Sequence, residues 1–202
     1  MKAFWDERYS HSEYAYGEQP NEFLKAQLEN FPEGAILFPA EGEGRNSVYA
    51  ARSGWQASAF DQSAEGRKKA IQLAEKNGVT IDYIVNSFQD LPYLPGQFDA
   101  VGLFYAHFPA ENRQAFHRQL ADFLRPGGVV ILEGFSKKNL EYLARNSAVG
   151  GPREIQMLFS TDEIRADFAG FEILQLAEEE VELNEGLYHK GTGSVVRFVG
   201  RK

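Results

Sequence analysis

The chain has 202 residues, no Cys, 21 Lys and Arg against 29 Asp and Glu, and a formal charge of −8. That length suits one α/β domain with a real core, and 43% apolar with 25% charged residues is a globular composition rather than a disordered one. The missing Cys excludes a disulfide framework, thiolate-bound zinc and a cysteine nucleophile, the acidic balance disfavours nucleic acid, and no run approaches the ~18–20 apolar residues of a membrane helix.

MKAFWDERYSHSEY at the start is aromatic and charged, without the apolar stretch of a secretory signal. The expectation is a cytoplasmic protein of one domain, 1–202, acting on a small molecule, with no nucleic-acid or membrane partner and no metal. Residues 1–34 carry Phe4, Trp5, Tyr9, Tyr14, Tyr16, Phe23 and Phe31 and read as an N-terminal lid or helical segment, with the core at 35–202. Asn21 is suited to cap a short helix bearing Phe23, Leu24 and Leu28 and ending near Phe31-Pro32. Short apolar runs follow at 35–38, 57–60, 81–85, 99–104 and 129–133. Most are continuous rather than alternating, as in parallel strands covered on both faces.

Helices separate these runs. One follows Gly44 and stops at Ser53-Gly54; a second starts after Ser63 and ends at Asn77-Gly78. A third spans 110–124, opened by Pro109 and apolar along Phe116, Leu120, Phe123 and Leu124. Arg125 is placed at its C-terminus, with Pro126-Gly127-Gly128 as the stop. SFQDLPYLPGQ is too short and Pro-rich for another full helix. Ser160-Thr161-Asp162-Glu163 reads as a capping box. FEILQLAEEEVELNEG and GSVVRFVG are β-type runs joined by LYHKGT, a hairpin. The pattern predicts an α/β doubly wound, mostly parallel seven-stranded sheet with a C-terminal antiparallel hairpin.

Ligands bind such sheets beyond the carboxyl ends of the strands. After the first run comes PAEGEGRNS, where Gly42 and Gly44 permit a sharp turn and close backbone approach. Asp61 ends the second run, 17 residues beyond Gly44, where a carboxylate can accept both hydroxyls of a ribose. Ser87-Phe88-Gln89-Asp90 follows the third run and Tyr105-Ala106-His107 the fourth. These features point to an adenosine-type cofactor, the alternative being a tight turn beside a solvated acid. A dinucleotide fingerprint would need Gly or Ala at Ser47, and Glu41 and Glu43 stand where a pyrophosphate needs positive potential. A nicotinamide-dependent oxidoreductase is thereby disfavoured. The acidic turn suits a cation such as S-adenosylmethionine, with its sulfonium and amino groups.

The chain resembles class I S-adenosylmethionine-dependent methyltransferases, in the small-molecule branch of tellurite-resistance and thiopurine methyltransferase-like proteins. The resemblance runs through ILFPAEGEGRNSVYAARSGW, AFDQS, DLPYLPGQFDAV, FLRPGGVVILEGF and VVRFVGRK, with YGEQPNEFL matching a lid segment. It implies a Rossmann-like fold, S-adenosyl-L-methionine as cofactor, and methyl transfer to a thiol, chalcogen oxyanion or similar small acceptor. It further implies that Gly42 and Gly44 line the methionine and ribose moieties. Asp61 would take the ribose hydroxyls with Gln62 beside the adenine, Phe88 and Gln89 would face the adenine edge, and Tyr105 would lie beneath the cofactor. Asn46 and Arg45 would hold the carboxylate end or a substrate. Phe38 stands in place of the family's strand-end acid and Ala40 in place of its first glycine, so Glu41 or Glu43 is expected to anchor the amino group instead.

Tyr14 and Tyr16, with Trp5 and Tyr9, are expected to cover the cofactor, since aromatic faces favour a sulfonium. Residues 149–159 form a second expected cover. His107 and His189 are placed at the substrate mouth, His107 as at most a catalytic helper, whereas His11 and His117 read as structural. The alternative to an enzyme is a non-catalytic S-adenosylmethionine-binding protein that kept the fold.

Overall fold

The computed structural model describes residues 2–89 and 91–202. Parallel strands β1 (Ala35–Pro39), β2 (Gln56–Asp61), β3 (Asp82–Val85), β4 (Phe98–Phe104) and β5 (Leu124–Phe135) are followed by antiparallel β6 (Glu172–Glu185) and β7 (His189–Arg201). Together they form a seven-stranded sheet in the order β3-β2-β1-β4-β5-β7-β6. The order reverses between β1 and β4, which places the ligand crevice at their carboxyl ends.

Both faces are covered, and the strand sequences explain it. Val129, Val130, Ile131 and Leu132 are consecutive and all buried, so neighbouring residues enter opposite cores. One core gathers Leu37, Val101, Leu103, Val130 and Leu132 with Leu120 and Phe123 of α5 (Ala110–Phe123) and Ile164 of α7 (Thr161–Asp167). The other gathers Ile36, Phe38, Ala57, Ala59, Ala100 and Ile131 with Phe23, Leu24 and Leu28 of α2 (Glu22–Leu28) and Ala50 of α3 (Arg45–Arg52). The short N-terminal helix α2 is therefore part of the core. Asn21 caps it as expected, accepting from the Phe23 and Leu24 amides at 3.0 and 3.1 Å. Ser63 caps α4 (Ala64–Lys76) through the Gly66 amide, and Ser160 and Glu163 close a capping box on α7.

Two local expectations are corrected. The third predicted helix ends at Phe123 rather than at 124, and Leu124 through Gly128 already belong to β5. Pro126 forces the residue before it out of the helical region, and Arg125 pairs with Asp99 instead of sitting on the helix terminus. The hairpin link is also shorter than LYHKGT: Glu185 faces His189 in register, so the turn is 186–188 and His189 through Thr192 lie in β7. Gly186 makes that turn at φ +60, and a Cβ there would collide with the Gly17 amide and the Ala15 carbonyl. The N-terminal aromatic region, read as a lid or helical segment, opens with a helix, α1 (Lys2–Tyr9), which packs on α4. A further helix, α6 (Asn139–Arg145), and two short 3-10 turns at 147–149 and 155–157 follow β5. Among the described residues, no helix is long and apolar enough to cross a membrane.

One buried polar cluster joins α5 to α7. Asp167 accepts from Arg113 at 2.8 Å and from His117 Nδ1–H at 2.9 Å, and His117 is fully buried against Phe168. Burial holds the His117 pKa below its usual value despite Asp167. Asp167→Ala would leave the buried His117 N–H without its acceptor and the Arg113 guanidinium with Glu163 alone, at 3.4 Å. We expect a loss of about 3–5 kcal/mol, read by chemical denaturation.

Candidate functional site

The site begins where β1 ends. Ala40, where the methyltransferases that the chain resembles carry a first glycine, has φ 52, the left-handed geometry that glycine adopts without cost. The turn conformation is therefore kept although the glycine is not. Gly44 follows at φ +87, and a Cβ there would stand 2.5 Å from the Ala70 Cβ of α4. Having no side chain, Gly44 cannot cap α3. Glu41 does so instead: its Oε1 accepts from the Asn46 amide at 3.0 Å and the Ser47 amide at 2.6 Å.

The two turn acids differ. Glu43 is committed on both oxygens, one to Lys69 Nζ at 2.6 Å and the other to the Ala15 amide at 2.7 Å. Burial raises its pKa, and Lys69 opposes that. Its expected role as an anchor for a ligand amino group is corrected on this ground, because its charge is already neutralised inside the protein. Glu41 has no cation within ion-pairing distance among the described residues, and burial pushes its pKa up to about 7 against the amide bonds it accepts.

Asp61 lies at the end of β2 and ties the two loops together. Its Oδ2 accepts from the Gly42 amide at 3.2 Å and its Oδ1 from the Ser63 amide at 2.8 Å. Burial pushes its pKa up to about 6, against those amide bonds. The Gly42 carbonyl accepts from the Tyr83 hydroxyl at 2.7 Å. Tyr9 of α1 closes this corner: a Cβ on Gly42 would stand 2.6 Å from its hydroxyl oxygen, and its ring stacks on Trp5 at 5.4 Å.

Residues 11–21 run as a strap over the strand ends. Lys69 Nζ donates to the His11 and Glu13 carbonyls at 2.8 and 2.6 Å. Ala15 donates to Glu43 and accepts from the Leu187 amide of the hairpin at 2.8 Å. Tyr14 donates to the Lys69 carbonyl at 3.1 Å, and Tyr16 receives an Arg8 N–H at 2.8 Å. The Asn46 side-chain oxygen accepts from the Asn21 amide at 2.9 Å. Arg45 is buried in an ion pair with Glu185 at 2.9 Å, so its guanidinium is not free to hold a carboxylate end, as had been expected.

Beyond β4, Tyr105 has φ 54. Its hydroxyl donates to Glu133 Oε1 at 2.9 Å, and its amide donates to the Glu133 carbonyl at 2.8 Å. A non-glycine residue held there costs about 1–3 kcal/mol, which the surroundings must offset. Glu133 also accepts from Asn21 at 2.6 Å and Arg197 at 2.7 Å. Sequence reasoning passed over this network, yet it left a signal: Glu133 and Arg197 are lone charges inside apolar strands and are register partners across β5 and β7. Lys69 and Glu185 were missed as well, being ordinary helix and hairpin residues until the fold brings them together.

Other expected positions are less convergent. Phe88 packs on Phe60, Phe108 and Phe116 at 4.5–4.9 Å, on the flank of a core. Gln62 is half-buried and Gln89 exposed, while Asp90 lies outside the described residues. His189 donates from Nδ1 to Glu185 at 2.8 Å, and its ring sits 4.5 Å from both Tyr16 and Tyr105. His107 donates from Nδ1 to the Met157 carbonyl at 2.8 Å and accepts the Phe135 amide on Nε2 at 3.1 Å. Both nitrogens are used, so the helper role expected of His107 is corrected to a structural one, joining β4 to the 155–157 turn.

Burial depresses the His107 pKa to about 4. An unfolded histidine takes a proton near pH 6.5, so stability is lost as pH falls from there towards 4. The shift amounts to roughly 3 kcal/mol. Glu41 and Asp61, raised in the fold, act with the opposite sign. The difference between protein and His107→Gln isolates the histidine, and between pH 6.5 and 4 the unsubstituted protein should lose stability more steeply in denaturant titrations.

Residues 36–128 match the family model described as a methyltransferase domain. A ubiquinone biosynthesis O-methyltransferase of Xanthomonas axonopodis pv. citri is 33% identical over 135 residues, covering 61% of this chain and 56% of that protein. The chain thus spans about half the length of the curated relatives it matches. Among solved structures, one from a study of the conversion of a disulfide bond into a thioacetal group during echinomycin biosynthesis superposes with a TM-score of 0.79, at 19% identity, over 100% of this chain and 92% of that one. TehB from Haemophilus influenzae superposes with a TM-score of 0.71, at 14% identity, over 100% of this chain and 66% of its own. The matched residues 36–128 lie on a Rossmann-like sheet whose fold is shared with solved S-adenosylmethionine-dependent methyltransferases.

Proposed function

We propose that this protein transfers a methyl group from S-adenosylmethionine to a small-molecule acceptor, a thiol, phenol, chalcogen oxyanion or similar nucleophile. The observation that carries this reading is the pair of acids without an ion-pairing cation among the described residues, half-buried Glu41 and buried Asp61, meeting at Gly42 inside the matched residues. Such a cradle fits a cation bearing a ribose and resists a pyrophosphate. The O-methyltransferase relatives support it, as does the resemblance of the first loop to the class I pattern.

When bound, the cofactor supplies a methyl group activated by a sulfonium. Asp61 holds the ribose hydroxyls, and the amides of Gly42 and Ser63 keep that carboxylate in place. Glu41 faces the amino group. Tyr105, fixed by Glu133, forms the floor at the end of β4, and the strap through Tyr14 and Tyr16 excludes water. Alignment of nucleophile and methyl is the main task, so an acceptor that arrives ionised needs no base.

Titration with S-adenosylmethionine, followed by detection of S-adenosylhomocysteine with thiol, selenite, tellurite and phenolic acceptors, tests the function. Binding without turnover on any of them would favour the non-catalytic reading, and absence of binding would overturn both. Glu41→Gln should weaken cofactor binding about tenfold at pH 8. It should also flatten the pH dependence: below about 7 the wild-type carboxyl takes a proton and its attraction for a cation is lost. Equal calorimetric affinities across that range would remove Glu41 from the site. Deleting residues 1–18 should weaken cofactor binding by at least about tenfold while far-UV circular dichroism stays that of a folded sheet; unchanged affinity would refute the lid.

A further inference from the structure

A cavity of about 210 Å³ opens between the hairpin tip, the 147–153 segment and α1, lined in part by Arg8, Tyr16, Arg153, Tyr188 and His189. No acidic residue lines it, although acids outnumber Lys and Arg in the chain, 29 to 21. Arg8 has no carboxylate within ion-pairing distance among the described residues. It is held by the Tyr16 hydroxyl at 2.8 Å and lies 4.2 Å over the Tyr188 ring and 4.5 Å over Phe4. Arg153 is exposed and makes no ion pair or hydrogen bond among the described residues. Glu185, which holds His189 from behind, is neutralised by Arg45 at 2.9 Å. Because His189 donates from Nδ1 to Glu185, its Nε2 is left as a hydrogen-bond acceptor. The cavity shares His189 and Tyr16 with the strand ends, since both Tyr16 and Tyr105 pack against the His189 ring.

We propose that this cavity is the acceptor pocket and that it selects a small anionic acceptor, a single ring bearing a carboxylate. The proposal rests on the methyl-transfer reading above and adds the charge and size of what is methylated. An apolar cavity of roughly 150 Å³ takes benzene, so this one has room for one ring and a planar anionic group. Guanidinium forks match a carboxylate in shape as well as charge. The Tyr16 and Tyr188 rings supply flat walls, and His189 Nε2 accepts from a hydroxyl or amine on the far side of the ring.

The test titrates the full chain, saturated with S-adenosylhomocysteine, with 4-hydroxybenzoate and with 4-hydroxybenzamide, followed by NMR. The carboxylate should bind about tenfold tighter than the amide, with the advantage shrinking in high salt. Arg8→Gln and Arg153→Gln should each remove most of that advantage. Arg8→Gln also breaks the bond to Tyr16, so Arg153→Gln, on an exposed loop, reports the charge alone. Equal binding of the two probes, or a carboxylate preference that survives both substitutions, would overturn the proposal. S-adenosylhomocysteine affinity is measured in parallel. Cofactor binding with no carboxylate preference overturns the anionic pocket only, whereas no cofactor binding in the unsubstituted protein overturns the methyl-transfer reading beneath it.

Discussion

The Glu133 carboxylate is the constraint on which the rest of the site depends. It is 2% exposed, in the middle of β5, and a buried carboxylate is tolerated only when its oxygens are paired and hydrogen-bonded. Its partners come from three directions: Arg197 from β7, Asn21 from the cap of α2, and Tyr105 from the end of β4. One charge thereby fixes the antiparallel edge to the parallel sheet, docks the N-terminal helix, and holds Tyr105 in a left-handed backbone conformation where the crevice opens. Asn21 has a second task, since its side chain caps α2 while its amide reaches Asn46 at the start of α3.

A second constraint acts on the other side of the crevice, where three acids share one turn region and meet different fates. Glu43 is absorbed by Lys69 and by the strap, and becomes part of the architecture. Asp61 is buried and Glu41 half-buried, each with amide donors but no ion-pairing cation among the described residues, so their charged forms are destabilised. The same residue type next to the same glycine is structural in one case and available in the other. Which is which follows from where α4 presents Lys69. The chain's net charge of −8 hides this division completely.

Much of the fold was legible because it is written locally. Continuous apolar runs announced the parallel strands, and Asn21, Ser63 and the Ser160–Glu163 pair marked helix starts that the structure confirms residue by residue. What escaped was set by distant contacts. Helix α1 has eight residues, too few to be stable alone, and exists because Tyr9 packs against Gly42 and Gly66 while Asp6 accepts from Ser63 and Ala64 at the start of α4. His107 looked like a mouth residue because it follows a strand. Only the return of the 155–157 turn beneath it supplies the Met157 carbonyl that fixes its tautomer.

The sequence by itself determined the layering of the domain, the position of the glycine turn and the acid that follows it, since periodicity, caps and strand-end motifs are properties of neighbours along the chain. Tertiary structure decided which acids keep their charge available, that Arg45 serves Glu185, and that Arg8 and Arg153 meet from opposite ends of the chain at one cavity. Those outcomes depend on burial and on partners dozens of residues away. No local pattern records them, because the dielectric and the counter-charge that set a side chain's chemistry come into being only when the sheet, the strap and the hairpin close around it.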